Sequence, residues 1–288
     1  MACATFWSRN MTDSRLGIKN LCVDYPGSRV VNNVSFTLGN ERLALVGESG
    51  SGKSMTARAL MGLIRKPGRV TADTLNILGR NALTLNARGW QQLRGNDIAM
   101  VLQDPRYALN PVKTVKAQLE EAITLHQRLN RCEKEEKINT AIQAVGLNTR
   151  VLQNYPRELS GGMGQRVMIA MALINDLQVL IADEPTSALD VRLRNQILEL
   201  LVTQCEQRQM AMLLISHDLP LVAQFCHRVM VMYQGNKIDE MRADALPTAT
   251  HPYTRTLWTC RPNAQTYGQI LPTLDRTAMT LEKYHDGR

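Results

Sequence analysis

Residues 47–54, GESGSGKS, have the types and the spacing needed to hold a phosphate group. They match the pattern GxxxxGK[ST], in which glycines let successive backbone N–H groups point at one anion. The lysine supplies a positive charge to the β- and γ-phosphates, and the last serine hydroxyl can reach Mg²⁺. A strand-like run precedes the loop and a helix-like run follows it, as this motif requires. The sequence therefore predicts a nucleoside triphosphate site formed by Gly47, Glu48, Ser49, Gly50, Ser51, Gly52, Lys53, Ser54 and Met55.

A pair of carboxylates stands at the end of another apolar run, VLIADEP. Asp183 and Glu184 are costly to place there unless they meet a cation or a reacting water. We expect Asp183 to hold Mg²⁺, and Glu184 to orient and deprotonate the attacking water. Because side chains alternate along a strand, the two carboxylates should point in different directions and serve two functions.

Two further polar residues follow apolar runs directly. Gln103 follows IAMVL and His217 follows MLLIS. Either is compatible with an ordinary strand-end residue, but ligands bind at the carboxyl ends of strands in sheets of this type. His217 is predicted to donate a hydrogen bond to the γ-phosphate and to hold Glu184 and the water in place. The candidate catalytic residues are Glu184, His217 and Gln103, and the candidate metal ligands are Ser54, Gln103 and Asp183.

A second phosphate-binding pattern lies at 159–174, LSGGMGQRVMIAMALI. A serine and two glycines stand directly before a helix-like apolar run, and the N-terminus of a helix attracts anions. One chain therefore carries two phosphate cradles, of which 47–54 is the stronger match. The weaker one needs a separate explanation.

The elements that must position these residues follow an α/β pattern with a mainly parallel sheet. Strands are expected at 17–24, 34–38, 42–47, 97–104, 177–184 and 210–218. Helices are expected at 192–207 and at 53–64, where Pro67 and Gly68 should stop the helix. Three- and four-residue spacing indicates a helical insertion carrying Val112, Val115, Leu119, Ile123, Ile138, Ile142 and Val145. We divide the chain into an N-terminal extension at 1–16, an ATPase domain at 17–245 with its helical subdomain at about 105–158, and a C-terminal tail at 246–288.

Composition argues against several other classes of protein. The 288 residues carry a net charge of +8, but Lys and Arg are spread along the chain, which favours an anionic ligand or a membrane over nucleic acid. No apolar run approaches the roughly 18 residues that cross a bilayer. The start MACATFWSRN lacks the apolar region of a secretory signal, and Met11 is an alternative start. The six cysteines form no CxxC pair and are expected to be reduced, structural thiols.

Together, these motifs resemble the ATP-binding subunit of ABC transporters over roughly residues 17–260. Along the chain they run GESGSGKS, Gln103, LSGGM, the strand ending in Glu184, SALD and SHD. In that family two subunits dock head to tail, and the LSGG signature of one closes over the γ-phosphate held by the other. The resemblance thus explains the two cradles and implies a dimer with a P-loop NTPase core, an N-terminal antiparallel β portion and a helical insertion. The resemblance implies that Ser160, Gly161 and Gly162 contact the γ-phosphate held by the other subunit. It implies that Ser187 to Asp190 link the two sites and that Tyr25 stacks on adenine. The helical insertion is implied to couple through Gln103 to membrane partners.

A finer resemblance is to the branch that imports peptides and nickel. The letters SGGM and the tail HPYTRTLWTCRP are similar to that branch, although many ABC relatives have glutamine where Met163 stands. The branch implies an ATPase that uses ATP and Mg²⁺ to power import of a peptide, nickel or a chelated metal. Its implied partners are two transmembrane permeases and a second ATPase subunit. The branch favours a heterodimer of ATPases over a homodimer. A periplasmic or extracellular substrate-binding protein is implied as an indirect partner. The implied location is the cytoplasmic face of the inner membrane.

Two other functional classes stay open at this stage. One is an ABC exporter ATPase, which the tail argues against. The other is a soluble ABC ATPase acting on ribosomes or DNA, although such proteins usually carry two cores or a long coiled coil. Many peptide-importing relatives have a cysteine cluster near the tail, whereas Cys260 is nearly alone, so no iron–sulfur cluster is expected. His251 is expected to be structural.

Overall fold

The computed structural model describes residues 14–187 and 189–261. Most of the expected N-terminal extension, Ala188 of the SALD motif and the tail beyond residue 261 lie outside the described residues. The strands are β1 (Leu16–Tyr25), β2 (Ser28–Leu38), β3 (Arg42–Val46), β4 (Arg69–Thr71), β5 (Thr74–Ile77), β6 (Arg80–Asn81), β7 (Ile98–Val101), β8 (Val179–Asp183), β9 (Ala211–Ile215), β10 (Arg228–Tyr233) and β11 (Asn236–Arg242). The α-helices are α1 (Lys53–Leu60), α2 (Ala87–Leu93), α3 (Val115–Thr124), α4 (Arg131–Ala144), α5 (Gly161–Ala172), α6 (Val191–Gln207), α7 (Leu219–Phe225) and α8 (Pro252–Thr259).

The first sheet is antiparallel, with β1 between β2 and β5, β6 beside β5, and β4 paired to another part of β1. Val34, Phe36 and Leu38 of β2 are buried and alternate with partly exposed residues, which is the pattern of a strand with one face on the core. The strands expected at 17–24 and 34–38 are confirmed as β1 and the second half of β2. Strands β4 to β6 have two to four residues each, too few to show a periodicity in the sequence.

The second sheet has the order β11-β10-β3-β9-β8-β7. Strands β10, β3, β9, β8 and β7 are parallel to one another, and β11 pairs antiparallel at the edge. Both β8 and β9 are buried at every position, because elements cover both faces of a parallel sheet. The predicted α/β fold with a mainly parallel sheet is confirmed. Each predicted core strand is present but shorter, and Gln103, Glu184 and His217 lie in the loops that follow β7, β8 and β9.

The first helix ends earlier than the sequence predicts. Gly62 adopts a φ of 60°, which turns the chain out of the helix. The guanidinium of Arg94 donates hydrogen bonds of 2.7 Å to the carbonyl oxygens of Met61 and of Gly62. These contacts satisfy carbonyl groups at the end of α1, so Pro67 and Gly68 follow a turn and do not terminate the helix. The expected range 53–64 is therefore wrong at its C-terminal end.

The helical insertion packs as a group in which α5 contacts α3 and α4. Leu119, Ile123, Ile138 and Ile142 are buried in its core, as their spacing predicts. Asn130 begins α4 with a reciprocal capping box. Val112, in contrast, precedes α3 and is 78% exposed, so its assignment to the helical stripe is wrong. Its spacing matched the periodicity, but the helix begins only after the cap at residue 114.

Among residues 14–187 and 189–261, no α-helix combines the length and the apolar character that crossing a bilayer demands.

A buried ion-pair cluster connects the two sheets. Arg228, the first residue of β10, donates a hydrogen bond to the carbonyl oxygen of Thr37 in β2. Its guanidinium also lies 3.0 Å from a carboxylate oxygen of Glu41 and 2.8 Å from one of Glu240. The side chains of these three charged residues are 10%, 16% and 23% exposed, so water screens them little.

We expect Arg228→Met to lower the free energy of unfolding by about 3 kcal/mol, because it removes the cation paired with the largely buried Glu41 and one of the two cations paired with Glu240, the other being Lys237. Urea denaturation followed by circular dichroism measures this change. Arg242→Met is the matched control, since Arg242 pairs with Asp244 on an exposed surface and should leave the midpoint unchanged. Equal midpoints for the two variants would remove Arg228 from this stabilising role.

Candidate functional site

The loop at 47–52 connects β3 to α1 and lies at the carboxyl end of the parallel sheet. Gly47, Gly50 and Gly52 have φ values of 145°, 82° and 99°, which side-chain-bearing residues rarely adopt. A Cβ atom at Gly47 would lie 2.1 Å from the carbonyl oxygen of Met232, and one at Gly52 would lie 2.8 Å from that of Val30. The glycines are therefore needed for the turn and also for close packing against β10 and β2.

Lys53 fills the inside of this loop. Its Nζ atom donates hydrogen bonds of 2.8 Å to the carbonyl oxygens of Gly47 and Glu48 and lies 3.4 Å from the hydroxyl of Ser51. Burial lowers the pKa of Lys53, and the carboxylates of Glu184, Asp183 and Glu48 oppose that shift. The ammonium group is thus held at the point where an anion would meet the loop amides.

Ser54 and Asp183 come together from α1 and β8. The hydroxyl of Ser54 donates a 2.9 Å hydrogen bond to Oδ1 of Asp183, whose exposure is only 8%. Burial raises the pKa of Asp183, while the hydrogen bond from Ser54 lowers it. A hydroxyl and a carboxylate in contact beside a phosphate-binding loop are the hard oxygen ligands that Mg²⁺ accepts. These donors fit a magnesium ion.

Glu184 and His217 meet at the ends of the neighbouring strands β8 and β9. Oε2 of Glu184 lies 3.5 Å from Nδ1 of His217, and the two side chains are 25% and 58% exposed. The backbone N–H of Glu184 donates to the carbonyl oxygen of Ile215. The expected cause of the divergence from Asp183 is wrong: β8 ends at Asp183, and Glu184 has a φ of 48°. A left-handed turn, and not strand alternation, directs its side chain.

Gln103 and Tyr25 lie at the ends of other strands. Gln103 is exposed two residues after the end of β7. Tyr25 is the last residue of β1 and is half-buried. Its ring lies against Gly68, where an added Cβ would be 2.8 Å from the ring. Their catalytic and adenine-binding roles stay predictions.

The second cradle forms the N-terminus of α5. The hydroxyl of Ser160 accepts a hydrogen bond from the backbone N–H of Met163 and caps the helix. Ser160 and Gly161 are exposed, and a Cβ at Gly161 would meet no atom within 4 Å. Met163 packs against the core of the helical group. Ser160 and Gly161 are thus displayed outward at the helix end, whereas a Cβ at Gly162 would lie 3.4 Å from the side chain of Leu193.

A buried glutamine, which none of the sequence motifs predicts, connects this helix to the carboxylate pair. Nε2 of Gln165, which is 1% exposed, donates a 2.6 Å hydrogen bond to the carbonyl oxygen of Pro185. Ser187 then donates through its hydroxyl to the carbonyl oxygen of Glu184, and Asp190 caps α6. A polar residue inside the apolar run of α5 was the available signal.

Comparison with known proteins identifies the class. The family described as "ABC transporter" matches residues 31–187, more than half of the chain. The dipeptide transport ATP-binding protein DppD of Escherichia coli is 43% identical over 238 residues, which cover 81% of this chain and 73% of that protein. The putative peptide import ATP-binding protein BAB2_1052 of Brucella abortus is 40% identical over 267 residues, covering 90% of this chain and 80% of that protein.

A solved structure has the same architecture with products bound. The dimeric ATP-binding cassette MJ0796, in a post-hydrolysis state bound to ADP and Pi, superposes with a TM-score of 0.68 at 25% identity, covering 79% of this chain and 98% of that one. The present chain therefore belongs to the ABC transporter family. Within that family it is an ATP-binding subunit that hydrolyses ATP.

Proposed function

We propose that this chain powers the import of short peptides through membrane permeases and works at the cytoplasmic face of the inner membrane. The observation that carries the proposal is its similarity, along most of its length, to relatives named for dipeptide transport and peptide import. Those names favour a peptide over nickel or a chelated metal, and they favour import over the exporter and soluble alternatives.

Nucleotide binding is proposed to use the loop at 47–54, with Met55 following it, while the ring of Tyr25 stacks on adenine. Lys53 leaves the carbonyl oxygens that it now contacts and turns to the β- and γ-phosphates. Ser54 and Asp183 would hold Mg²⁺, with the side-chain oxygen of Gln103 as a further ligand. When bound, the ion neutralises charge on the phosphate oxygens.

Hydrolysis is proposed to depend on the Glu184–His217 pair. The carboxylate of Glu184 accepts a proton from water as the water oxygen attacks the γ-phosphorus, and ADP leaves with the electrons of the broken bond. The 3.5 Å contact with His217 supports this role, because the imidazole limits the directions that the carboxylate can take. The exposed side of the imidazole is available to donate to the γ-phosphate.

A second ATPase chain is proposed to complete each site. The signature at Ser160, Gly161 and Gly162 supports this arrangement, since Ser160 and Gly161 are exposed at a helix N-terminus, which suits an anion held by another chain. Residues 187–190 would transmit the state of one site to the other, because Ser187 is bonded to the backbone of Glu184. The peptide-importer resemblance favours a heterodimer.

The permeases are proposed to dock where the loop after Gln103 meets the helical group. Two features support this surface. Tyr107 is 85% exposed and Val112 is 78% exposed, although both are apolar enough to favour burial. Beside them lies a cavity of about 600 Å³, whose lining includes Pro105, Leu109, Pro111 and Leu159. A permease segment docked on Tyr107 and Val112 would bury this apolar surface, while Ser160 and Gly161, which also line the cavity, stay available to the second ATPase chain.

We expect Glu184→Gln to retain ATP binding but to hydrolyse ATP at least about a hundredfold more slowly in the assembled transporter, a loss of roughly 2.7 kcal/mol of transition-state stabilisation. The amide keeps the shape of the side chain but cannot accept the proton. Phosphate release under single-turnover conditions measures the rate. Glu206→Gln, on an exposed part of α6, is the matched control and should hydrolyse normally. Near-normal turnover of Glu184→Gln would exclude Glu184 as the general base.

We expect Gly161→Ala to bind ATP normally as a single chain but to reduce hydrolysis by the assembled transporter more than about tenfold. A Cβ at this position meets no atom of its own chain, so a defect arises only where a second chain approaches. Gly39→Ala, also in open space, is the control. If Gly161→Ala hydrolyses ATP like the unaltered protein, the signature does not contact nucleotide in trans.

The importer assignment predicts what accompanies this chain in a detergent extract of its native membrane. Affinity capture should recover two permeases and a second ATPase, identified by mass spectrometry. The associated binding protein can then be screened against dipeptides and Ni²⁺, and peptide binding is the expected result. Recovery of ribosomes or DNA without a permease would contradict the proposal.

A further inference from the structure

The C-terminal helix α8 is anchored to the ATPase core by the residues HPYT. His251 caps the helix, its Nδ1 accepting from the backbone N–H of Tyr253, and Pro252 occupies the first helical position. The hydroxyl of Thr254, 1% exposed, donates a 2.7 Å hydrogen bond to Oδ2 of Asp239 in β11. This geometry fixes which face of α8 is turned inward.

Tyr253 extends from that inward face to the phosphate-binding loop. Its side chain is fully buried, and its hydroxyl oxygen accepts a 3.1 Å hydrogen bond from the backbone N–H of Glu48. Its ring packs on the ring of Tyr233, with 4.7 Å between the centroids. Tyr233 directly follows Met232, whose carbonyl oxygen is the atom closest to a Cβ built at Gly47. The first turn of the loop is therefore enclosed between β10 and α8.

Both backbone polar groups of Glu48, its N–H and its carbonyl oxygen, are hydrogen-bonded. Its carbonyl oxygen accepts from Nζ of Lys53 and from the backbone N–H of Ser51, whereas its N–H donates to Tyr253. When Lys53 turns toward the phosphates, the carbonyl loses its strongest donor. The contact with Tyr253 remains, because it lies on the other side of the residue and does not involve the lysine.

We propose that Tyr253 is a positioning residue for nucleotide, which holds the first turn of the phosphate-binding loop in its binding geometry while Lys53 exchanges loop carbonyls for phosphates. The helix α8 is by this assignment part of the nucleotide site. The inference rests on ATP binding by the loop, but it is independent of the transported substrate and of the permeases.

The test is Tyr253→Phe in the full chain, with Tyr233→Phe as the matched control. Both variants remove one hydroxyl and keep the stacked rings, but only the first removes the acceptor for the N–H of Glu48. We expect Tyr253→Phe to weaken binding of fluorescently labelled ATP and ADP by the same factor, about fivefold, because the loop without this anchor populates its binding geometry less before nucleotide arrives, and both nucleotides use the loop. Tyr233→Phe should bind both nucleotides like the unaltered protein. In the assembled transporter, KM for ATP should rise while kcat stays unchanged.

Three outcomes would overturn the proposal. Unchanged nucleotide affinity together with a lower melting temperature would give Tyr253 a packing role alone. An equal loss in Tyr233→Phe would assign the effect to the aromatic pair and not to the hydrogen bond. A fall in kcat at unchanged KM would place the hydroxyl in the chemical step.

A second variant keeps the proposal testable if Tyr253→Phe does not fold. Thr254→Val preserves the shape of a buried side chain but breaks the bond to Asp239, so α8 is held less firmly against the core. We expect a smaller loss of affinity that again is equal for ATP and ADP. Binding identical to that of the unaltered protein would show that the position of α8 does not matter to the loop.

Discussion

The structure depends on one constraint, which is that a loop of backbone amides must stay open around an anion. Such a loop has few side-chain contacts of its own, so neighbouring elements have to hold it. Strand β10 packs against Gly47, and β2 packs against Gly52. Helix α8 contributes the hydroxyl of Tyr253, which accepts a hydrogen bond from the N–H of Glu48. Lys53 occupies the interior of the loop and donates hydrogen bonds to two of its carbonyl oxygens. In the parallel sheet β3 leads into the loop, and its neighbour β10 lies against Gly47.

The parallel sheet also gathers the acidic groups of the site. Strand β9 lies between β3 and β8, so the ends of three strands bring the phosphate loop, the Asp183–Glu184 pair and His217 to one edge. The cost of burying Asp183 is visible in its raised pKa, and the hydroxyl of Ser54 offsets part of that cost. Glu184 leaves the strand through a left-handed turn and remains accessible to water. One carboxylate is thus kept dry beside the loop, and the next one faces solvent.

The second cradle is built differently, since its serine is the cap of the helix that follows. Ser160 caps α5 and Gly161 faces open space, while Gly162 lies beside Leu193 of α6 and the rest of the helix is packed in the helical group. Gln165 of that helix donates a hydrogen bond to the carbonyl oxygen of Pro185, the residue after Glu184. The helix that carries the signature is therefore in direct contact with the segment that carries the carboxylate pair.

The sequence alone determined the phosphate loop, the carboxylate pair, the signature and the core strands, because each is a local pattern with its own geometry: glycines where φ is positive, apolar runs where a strand is covered on both faces, a serine before a helix. It could not determine features set by distant residues. Arg94 satisfies the carbonyl groups at the end of α1, a cap places Val112 outside its helix, and a turn after β8 directs Glu184. Tyr253 reaches Glu48 across 205 residues of chain, and only the packing of α8 on β10 and β11 brings the two together. Local patterns report the conformation of neighbouring residues, whereas contacts between distant residues are decided by how the elements pack.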